Sequence, residues 1–302
     1  MKVVKWVFIC IAAFYACCVA YALLPQKSTP VQELAGPNSH FIQVKDRQFH
    51  YEKYGAGKPL ILVHGFAGST YTWRRVIPLL SQSYTVYAFD LPGFGLSDKS
   101  PEASYDLRSQ ARALLDFIHA LQLPSASLVG HSMGGVIAGI AATEAPQKVD
   151  KLIIIDAGFY HGGPPKFMRH LFFPFNVILA RSFYTKGARS RSLANSYYDK
   201  SLITDELIEN YLKPARTPNA SDALVKMNRT AAADTYENIS SRIATPALLI
   251  WARNDNIVPV SDAERLQREI KGSRLVTIDS AGHMVQEEKP QEVAAAIQQF
   301  MQ

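Results

Sequence analysis

Short, uninterrupted runs of apolar residues recur along this 302-residue chain, and stretches with helical spacing of apolar residues separate them. A strand buried on both faces reads as a continuous apolar run, because successive side chains point to opposite faces of the sheet. The alternation of such runs with helical patterns predicts an α/β fold, in which helices cover both faces of a parallel sheet. The predicted strands are residues 60–63, 84–89, 128–129, 152–155, 247–251 and 275–278, and the clearest predicted helices are residues 73–80, 105–121 and 261–271.

Residues 41–44 and 48–54 show a different pattern, because apolar and polar residues alternate there. Alternation is typical of strands that have one face toward solvent. Asp46 and Arg47 separate the two segments, as a turn would. The sequence therefore predicts a hairpin at an edge of the sheet.

A long interval between two predicted strands, residues 158–242, contains no convincing buried strand. It holds only helical patterns, and near its start residues 162–165 read Gly-Gly-Pro-Pro, a composition suited to a hinge. We interpret the interval as a helical cap, or lid, inserted into the core. The predicted organisation is a core of residues 40–157 and 243–302, a cap of residues 158–242, and a linker of residues 23–39 before the core.

The amino terminus has the pattern of a targeting segment. Lys2 and Lys5 precede the uncharged stretch 6–24, whose length is close to the ~20 residues that a membrane-spanning helix needs. The sequence 20–22, Ala-Tyr-Ala, fits a signal-peptidase site, so residues 1–22 are either a cleaved signal peptide or an uncleaved signal anchor. A lipoprotein site at Cys17 is a poorer third interpretation. All three predict export, with the domain secreted, periplasmic, or anchored on the non-cytoplasmic side of a membrane.

Charge and cysteine content narrow the possible functions. The net charge is +6, and residues 160–200 hold seven Lys or Arg residues against the single acid Asp199. No nucleic-acid-binding motif accompanies this charge, so we expect no nucleic-acid partner. Cys10, Cys17 and Cys18 all lie in the targeting segment. The exported domain is therefore expected to have no disulfide, no cysteine nucleophile and no thiolate metal site.

One short motif gives the strongest chemical signal. Residues 130–134, Gly-His-Ser-Met-Gly, read G-x-S-x-G and stand between a predicted buried strand and a helix rich in small residues. A nucleophile elbow needs this context, because its sharp turn lifts the serine hydroxyl clear of the sheet. The flanking glycines let the strand and the helix approach closely. Ser132 is therefore the predicted nucleophile.

Two residues that follow later strands complete a predicted catalytic triad. A serine hydroxyl needs a positioned base, and the base needs a partner that fixes its tautomer. His283 follows the last predicted strand and is the predicted base, and Asp255 follows the preceding strand and is the predicted orienting carboxylate. These side chains are expected to meet, because the carboxyl ends of parallel strands share one edge of the sheet. Asp156, at the end of the run 152–155, is an alternative to Asp255.

The backbone N–H groups of Phe66 and Met133 are the predicted oxyanion hole, which would stabilise the negative charge of a tetrahedral intermediate. His64 is expected to brace the loop that carries Phe66. His131 is expected to have a structural role on the opposite side of the elbow. The Gly- and Pro-containing loop 90–98 is expected to be a rigid turn whose carboxylates bind buried amides.

Five motifs, taken in order, resemble those of a known family. They are residues 64–68 (His-Gly-Phe-Ala-Gly), 90–98 (Asp-Leu-Pro-Gly-Phe-Gly-Leu-Ser-Asp), 130–135 (Gly-His-Ser-Met-Gly-Gly), 254–259 (Asn-Asp-Asn-Ile-Val-Pro) and 282–283 (Gly-His). From about residue 40 to the end, apart from the cap, the chain resembles the α/β-hydrolase superfamily, and in particular its small capped branch of esterases and monoacylglycerol-type lipases.

This resemblance implies an α/β-hydrolase fold with a mostly parallel, eight-stranded sheet and an inserted helical cap. It carries the triad and oxyanion roles onto the five positions already named, and it implies neither a metal nor an organic cofactor. Haloalkane dehalogenases and epoxide hydrolases share these loops but use an aspartate nucleophile. The serine at position 132 argues against both of those chemistries.

The expected substrate is a carboxylic ester with a medium or long acyl chain, either a small molecule or a lipid such as a monoacylglycerol. Hydrolysis of a carbon–carbon bond by the same triad and a catalytically silent binding protein remain alternatives. Large apolar residues are dense at positions 167–184, among Lys and Arg residues. Most are expected to pack the cap onto the core, but outward-facing ones would form a basic, aromatic surface that contacts a membrane.

Overall fold

The computed structural model describes residues 2–100, 102–160, 168, 170–230 and 238–302, with the backbone alone for residues 2 and 3. The strands are β1 (Ser39–Val44), β2 (Arg47–Tyr54), β3 (Lys58–Val63), β4 (Tyr84–Phe89), β5 (Ala126–His131), β6 (Val149–Ile155), β7 (Ala247–Ala252) and β8 (Arg274–Ile278). They form one sheet in the order β1-β2-β4-β3-β5-β6-β7-β8. β1 and β2 pair antiparallel with their neighbours, and the pairs from β4 to β8 are parallel. The predicted mostly parallel, eight-stranded sheet is confirmed.

Helices precede the sheet, connect its strands and follow it. They are α1 (Lys2–Leu23), α2 (Val31–Leu34), α3 (Ile77–Leu80), α4 (Leu107–Ala120), α5 (Met133–Glu144), α6 (Phe175–Phe183), α7 (Lys186–Ser196), α8 (Asp205–Leu212), α9 (Ala220–Thr230), α10 (Val260–Glu269), α11 (Val285–Glu288) and α12 (Pro290–Met301). Short 3-10 turns lie at Thr70–Trp73, Pro146–Lys148, Lys200–Leu202, Lys213–Arg216 and Ser240–Arg242.

Two apolar cores cover the two faces of the sheet. Ile61 and Val63 of β3 face one core, which α4, α5 and α10 complete. Leu60 and Leu62 face the other core, which α3 and α12 complete. Since neighbouring residues of one strand enter different cores, every position must be apolar. This is the physical reason for the uninterrupted apolar runs.

The predicted hairpin is confirmed at the edge of the sheet. β1 and β2 pair from Ser39 with Glu52 to Val44 with Arg47, and Lys45 turns between them with a φ of 57°. β1 has one neighbouring strand, so it forms an edge.

Two predicted elements differ from those of the structure. The helix predicted over residues 73–80 is divided into a 3-10 turn and α3, whose second residue is Pro78. A proline ring clashes with the preceding helical turn, so a continuous helix cannot run through that position. The strand predicted at residues 128–129 extends over Ala126–His131 and is buried throughout, although it includes polar and glycine residues.

Helices α6 to α9 lie between β6 and β7, where the sequence predicts the cap. Leu193, Tyr197, Leu207 and Tyr211 pack in a separate apolar cluster, which also includes Met284 from the core. The cap therefore packs directly on the residue that follows His283. The predicted hinge at residues 162–165 lies outside the described residues.

Helix α1 lies against cap helix α6. The guanidinium of Arg181 on α6 donates hydrogen bonds to the backbone carbonyls of Tyr21 (2.6 Å), Ala22 (3.0 Å) and Leu24 (2.8 Å). The ring of Tyr15 on α1 lies 6.2 Å from the ring of Phe175. These contacts tie the end of α1 to the cap.

Within the described part of the chain, one helical segment, Val4–Leu23, is long and apolar enough to cross a membrane, with a mean hydropathy of 2.2. A signal sequence shares these properties. The predicted linker after it contacts the cap, because the Thr29 N–H donates to the carbonyl of Arg216 (2.7 Å) and the Ser221 hydroxyl donates to Gln26 (2.8 Å).

Candidate active site

Ser132 occupies a sharp turn between β5 and α5, with a φ of 53° and a ψ of −122°. This conformation is unfavourable for a residue with a side chain, and its surroundings must hold it. The Ser132 N–H donates to the carbonyl of Ile155 on β6 (2.8 Å). A Cβ at Gly130 would lie 2.3 Å from the Gly134 oxygen, and one at Gly134 would lie 2.2 Å from the Val63 oxygen. The two glycines therefore permit the close approaches that the turn requires.

The structure brings the three predicted triad residues together. The Nε2 of His283 lies 2.9 Å from the Oγ of Ser132, and its Nδ1 lies 2.7 Å from the Oδ2 of Asp255. The other Asp255 oxygen accepts the N–H groups of Ile257 (2.7 Å) and Val258 (3.0 Å), which fixes the carboxylate. Because Asp255 accepts the Nδ1 proton, Nε2 is free to accept the hydroxyl proton of Ser132.

The predicted oxyanion donors flank this serine. Among the described residues, neither the Phe66 nor the Met133 N–H has a hydrogen-bond acceptor. The loop that carries Phe66 is pressed against the elbow, since a Cβ at Gly65 would lie 2.9 Å from the Cβ of Ser132. Both N–H groups therefore remain available to an oxygen that gains negative charge beside Ser132.

Asp156, the alternative acid, lies nearby but does not bind His283. Its Oδ1 accepts the N–H of Ala252 at the end of β7 (2.8 Å), and its Oδ2 has no hydrogen-bond partner in the described residues. Burial, together with the neighbouring Asp255 carboxylate, raises the pKa of Asp156 well above its usual range. The Nδ1 bond of His283 goes to Asp255, which is the arrangement that the sequence favours.

His131, Asp156 and His283 form the one group of potential metal-ligating side chains found in the described residues, with their nearest atoms within 4.8 Å. Both ring nitrogens of His283 already contact Ser132 and Asp255. A metal ion at this place would compete with the triad's own hydrogen bonds. The arrangement therefore suits proton transfer better than metal binding.

His131 has a structural role, as expected, but its ring lies beside the predicted base rather than on the opposite side of the elbow. Its Nε2–H donates to the backbone carbonyl of His283 (2.7 Å), and the two rings lie 4.9 Å apart. Burial is the main cause that lowers the pKa of His131 well below its usual range, so the ring is neutral. A neutral His131 helps to hold the His283 loop without adding a charge.

Glu288 links the same loop to the cap. One of its oxygens accepts the N–H of Gly282 (2.7 Å), and the other accepts the N–H groups of Tyr198 (2.9 Å) and Asp199 (2.8 Å). A Cβ at Gly282 would lie 2.6 Å from the carbonyl oxygen of Ser196. The cap backbone and the His283 loop are thus in direct contact.

Glu287 makes a second connection and is fully buried. Its carboxylate pairs with Arg74 and accepts hydrogen bonds from the hydroxyls of Tyr197 and Tyr211 in the cap. Burial raises the pKa of Glu287, although Arg74 opposes that change. Neither glutamate stands out in the sequence, because their partners are backbone groups and tyrosines from distant segments.

In the loop after β4, a carboxylate binds buried amides, as predicted. Buried Asp90 accepts the N–H groups of Thr70 (2.7 Å) and Leu96 (2.8 Å) and contacts the Nδ1 of His50 (2.6 Å). Burial alone would raise its pKa, but His50 and these bonds lower the pKa of Asp90 to about 2. His64 donates to the Gly65 carbonyl (2.7 Å) and braces the oxyanion loop, also as expected.

Aromatic side chains lie beside the oxyanion loop. The Phe66 ring is 45% exposed, and it lies 5.8 Å from the Phe94 ring and 6.0 Å from the Phe183 ring of cap helix α6. The space next to the predicted nucleophile is therefore lined by apolar groups of both the core and the cap. Such a surface suits a hydrocarbon chain.

Comparison with known proteins identifies the family. The sequence model of the alpha/beta hydrolase fold family matches residues 58–290 of this chain. The uncharacterized hydrolase YugF of Bacillus subtilis is 33% identical over 253 residues, which are 83% of this chain and 92% of that protein.

Solved structures show the same architecture. A membrane phospholipase A, described as a bacterial virulence factor, is 26% identical with a TM-score of 0.73, over 99% of this chain and 96% of its own. Two structures of the meta-cleavage product hydrolase CumD, one of them described as from Pseudomonas fluorescens, are 24% and 27% identical, each with a TM-score of 0.73 over 87% of this chain and 97% of its own. With the family match spanning most of the sheet and all five predicted site positions, this chain belongs to the α/β-hydrolase fold family.

Proposed function

We propose that this protein is a membrane-anchored serine hydrolase that cleaves carboxylic esters of lipids through an acyl-enzyme on Ser132. The observation that supports this most directly is the continuous hydrogen-bonded chain from Ser132 through His283 to Asp255. In hydrolases this arrangement activates a serine hydroxyl for attack on a carbonyl carbon.

The reaction has two halves. In the first, the Ser132 oxygen attacks the ester carbonyl while its proton moves to His283 Nε2, and Asp255 stabilises the imidazolium. The negative oxygen of the tetrahedral intermediate binds the N–H groups of Phe66 and Met133. The intermediate collapses, the alcohol leaves with the proton from His283, and an acyl-serine ester remains.

In the second half, His283 takes a proton from water as its oxygen attacks the acyl carbon. Collapse of this second intermediate returns the proton to Ser132 and releases the carboxylic acid. The net change is one ester and one water converted into one alcohol and one acid. No step needs a metal or an organic cofactor.

Lipid esters are favoured by the surroundings of the site. The aromatic wall of Phe66, Phe94 and Phe183 suits an acyl chain. The similarity to a membrane phospholipase A, which extends over α1 as well as the core, supports the same substrate class. We propose that residues 1–22 remain as an anchor, because Arg181 binds carbonyls on both sides of the candidate cleavage point after Ala22.

The cap surface is the second part of this proposal. Lys186 and Lys200 are exposed, as are Phe172 and Phe173. Two of the basic residues counted in the sequence do not contribute to such a surface, because Arg189 is buried and Arg181 binds α1. Lys166 and Arg169 lie outside the described residues. Because the proposed anchor would bind either kind of liposome, the cap is tested by the difference: at low salt we expect stronger association with anionic than with neutral liposomes, and equal association would reject membrane contact by the cap.

The test of the enzymatic proposal uses a fluorophosphonate probe. We expect the full chain to be labelled and Ser132→Ala to be unlabelled and inactive on p-nitrophenyl esters of graded length. Activity is expected to rise from short to medium or long chains. A protein that binds esters without being labelled would instead be the catalytically silent binding protein.

Carbon–carbon hydrolysis remains the second candidate, because CumD shares the fold at 27% identity. A ring-cleavage dienoate would distinguish the two reactions, since its visible absorbance is lost on cleavage. Turnover of the dienoate without turnover of esters would favour this candidate. The aspartate-nucleophile reactions remain disfavoured, because the elbow carries Ser132.

A further inference from the structure

Cap helix α7 carries a buried arginine that has no acidic partner in the described part of the chain. Arg189 is only 4% exposed, and its Nε has no hydrogen-bond partner. No carboxylate within the described part of the chain lies at ion-pair distance from its guanidinium, whereas Arg74, Arg216 and Arg253 each pair with an acid. Among the described residues, Arg189 is therefore a buried positive charge without an anionic partner.

Such isolation is unfavourable for the protein alone. A guanidinium keeps its charge in proteins, and a buried charge needs a partner to offset its lost hydration. Burial lowers the pKa of Arg189, and the groups that oppose this change are the hydroxyls of Tyr184 and Tyr211 rather than carboxylates. An anion supplied from outside the chain would complete the site.

The position of Arg189 connects it to the reacting centre. Its Cζ lies 4.8 Å above the centre of the Phe183 ring, and that ring lies 6.0 Å from the ring of Phe66. Phe66 carries one of the two proposed oxyanion N–H groups. One aromatic ring therefore separates the guanidinium from the residue that would hold the ester carbonyl.

We propose that Arg189 binds the phosphate of a phosphorylated lipid ester, and this inference rests on the proposed ester hydrolysis. The neutral ester carbonyl must lie at Ser132, so we place the anionic group that would bind Arg189 on the alcohol part of the substrate. In a glycerophospholipid that group is a phosphate, a few bonds from the ester. A guanidinium fits phosphate well, because its planar N–H groups bind two oxygens at once.

The experiment compares two substrates that share one acyl ester and differ by the phosphate: 1-oleoyl lysophosphatidic acid and 1-oleoylglycerol, both in mixed detergent micelles. For Arg189→Met in the full chain we expect the ratio of kcat/KM for the phosphorylated over the neutral ester to fall at least ~10-fold, mainly through KM. Arg189→Lys keeps the charge but loses the planar fork, so its ratio is expected to lie between those of the wild type and Arg189→Met.

The matched control is Arg229→Met, which removes an exposed arginine from cap helix α9 and is expected to leave the ratio unchanged. A second measurement is independent of catalysis. Calorimetric binding of the non-hydrolysable 1-O-alkylglycerol 3-phosphate is expected for the wild type and lost in Arg189→Met. The melting temperature of ligand-free Arg189→Met is expected to equal or exceed that of the wild type, because an unpaired buried charge is removed.

The two proposals fail in different ways. If both proteins hydrolyse esters, and the ratio of kcat/KM for the phosphorylated over the neutral ester is the same in the wild type and Arg189→Met, the role of Arg189 is overturned. The enzymatic proposal then remains intact. Absence of any ester hydrolysis, with binding of the ether phosphate that depends on Arg189, would reject the reaction and keep the phosphate site. A lower melting temperature with an unchanged ratio would assign Arg189 a structural role only.

Discussion

At the scale of single residues, two carboxyl groups stand at neighbouring strand ends, and their hydrogen bonds give them different properties. Asp255 accepts two backbone N–H groups and the Nδ1 proton of His283. Asp156 accepts one N–H, and burial beside Asp255 favours its protonated form. Only a carboxylate stabilises an imidazolium well, so the proposed acid role belongs to Asp255.

Amide substitutions test this difference. Asp255→Asn is expected to lower kcat by ~10⁴-fold, because the amide cannot hold His283 in the required tautomer. Asp156→Asn resembles the neutral acid, so a change in kcat below about threefold is expected. The kcat of both variants is measured by ester hydrolysis at pH 7. A larger loss for Asp156→Asn than for Asp255→Asn would make Asp156 the acid.

Asp90 makes a pH-dependent contribution to stability. Its pKa is lowered from 3.8 to about 2 in the folded protein, so the contribution is complete above pH ~4 and is lost as the pH falls toward 2. The size expected from this shift is about 2 kcal/mol. In urea unfolding at pH 7, Asp90→Asn is expected to have a lower free energy of unfolding than the wild type. The difference between the two free energies is expected to become smaller between pH 4 and pH 2. A gap that stays constant over that range would contradict this role.

At the scale of elements, the short helix α11 joins the predicted base to the cap. Glu288 holds the Gly282 N–H on one side and two cap N–H groups on the other. Glu287, on the same short helix, binds the cap tyrosines and Arg74 of the core. The orientation of His283 therefore depends on how the cap is seated.

Glu288→Gln tests this coupling, because the amide offers one acceptor and places an NH₂ group against N–H donors. We expect the rate of fluorophosphonate labelling and kcat to fall by about tenfold, with little change in KM, since the variant displaces the base rather than the substrate. Glu264→Gln, on the exposed face of α10, is the control. A lower melting temperature with an unchanged labelling rate would show that Glu288 supports the fold alone.

The elements also show where sequence prediction succeeds and where it stops. Ser132, Asp255 and His283 could be predicted because each follows a strand of a parallel sheet, and the strand ends share an edge. The contacts of Glu288, His131 and Arg189 could not be predicted, because nothing in their positions along the chain indicates which distant segment each side chain meets. Helix α7 reads Lys-Gly-Ala-Arg-Ser-Arg-Ser-Leu at its start, a polar pattern that does not indicate which arginine points inward.

At the scale of the whole molecule, the amino-terminal helix, the cap and the core form one connected series of contacts. Arg181 ties α1 to α6, and Phe183 at the end of α6 contacts Phe66, which lies beside the proposed nucleophile Ser132. An anchor that remains attached would therefore hold the cap close to the membrane. The proposed lipid substrates come from that side.

Intact-mass measurement tests the anchor. For protein extracted from membranes we expect a mass that includes residues 1–22, and a chain that begins at Leu23 would contradict this. Arg181→Met, which removes two hydrogen bonds to α1 and one to Leu24 directly after it, is expected to lower the free energy of unfolding by about 1–3 kcal/mol. Arg229→Met serves again as the exposed control.

Gly282 restricts how this molecule can admit and release ligands. Its Cα lies so close to the backbone of Ser196 and Tyr198 that no side chain fits between them. If the cap moved away from Gly282, the loop of His283 would be expected to move with it, and His283 would lose its contact with Ser132. We therefore expect a passage that spares the triad to open at the other contact between core and cap, between Phe66 and α6. The fatty acid product of the proposed reaction would then leave toward the amino-terminal helix, and into the bilayer that we propose this helix spans.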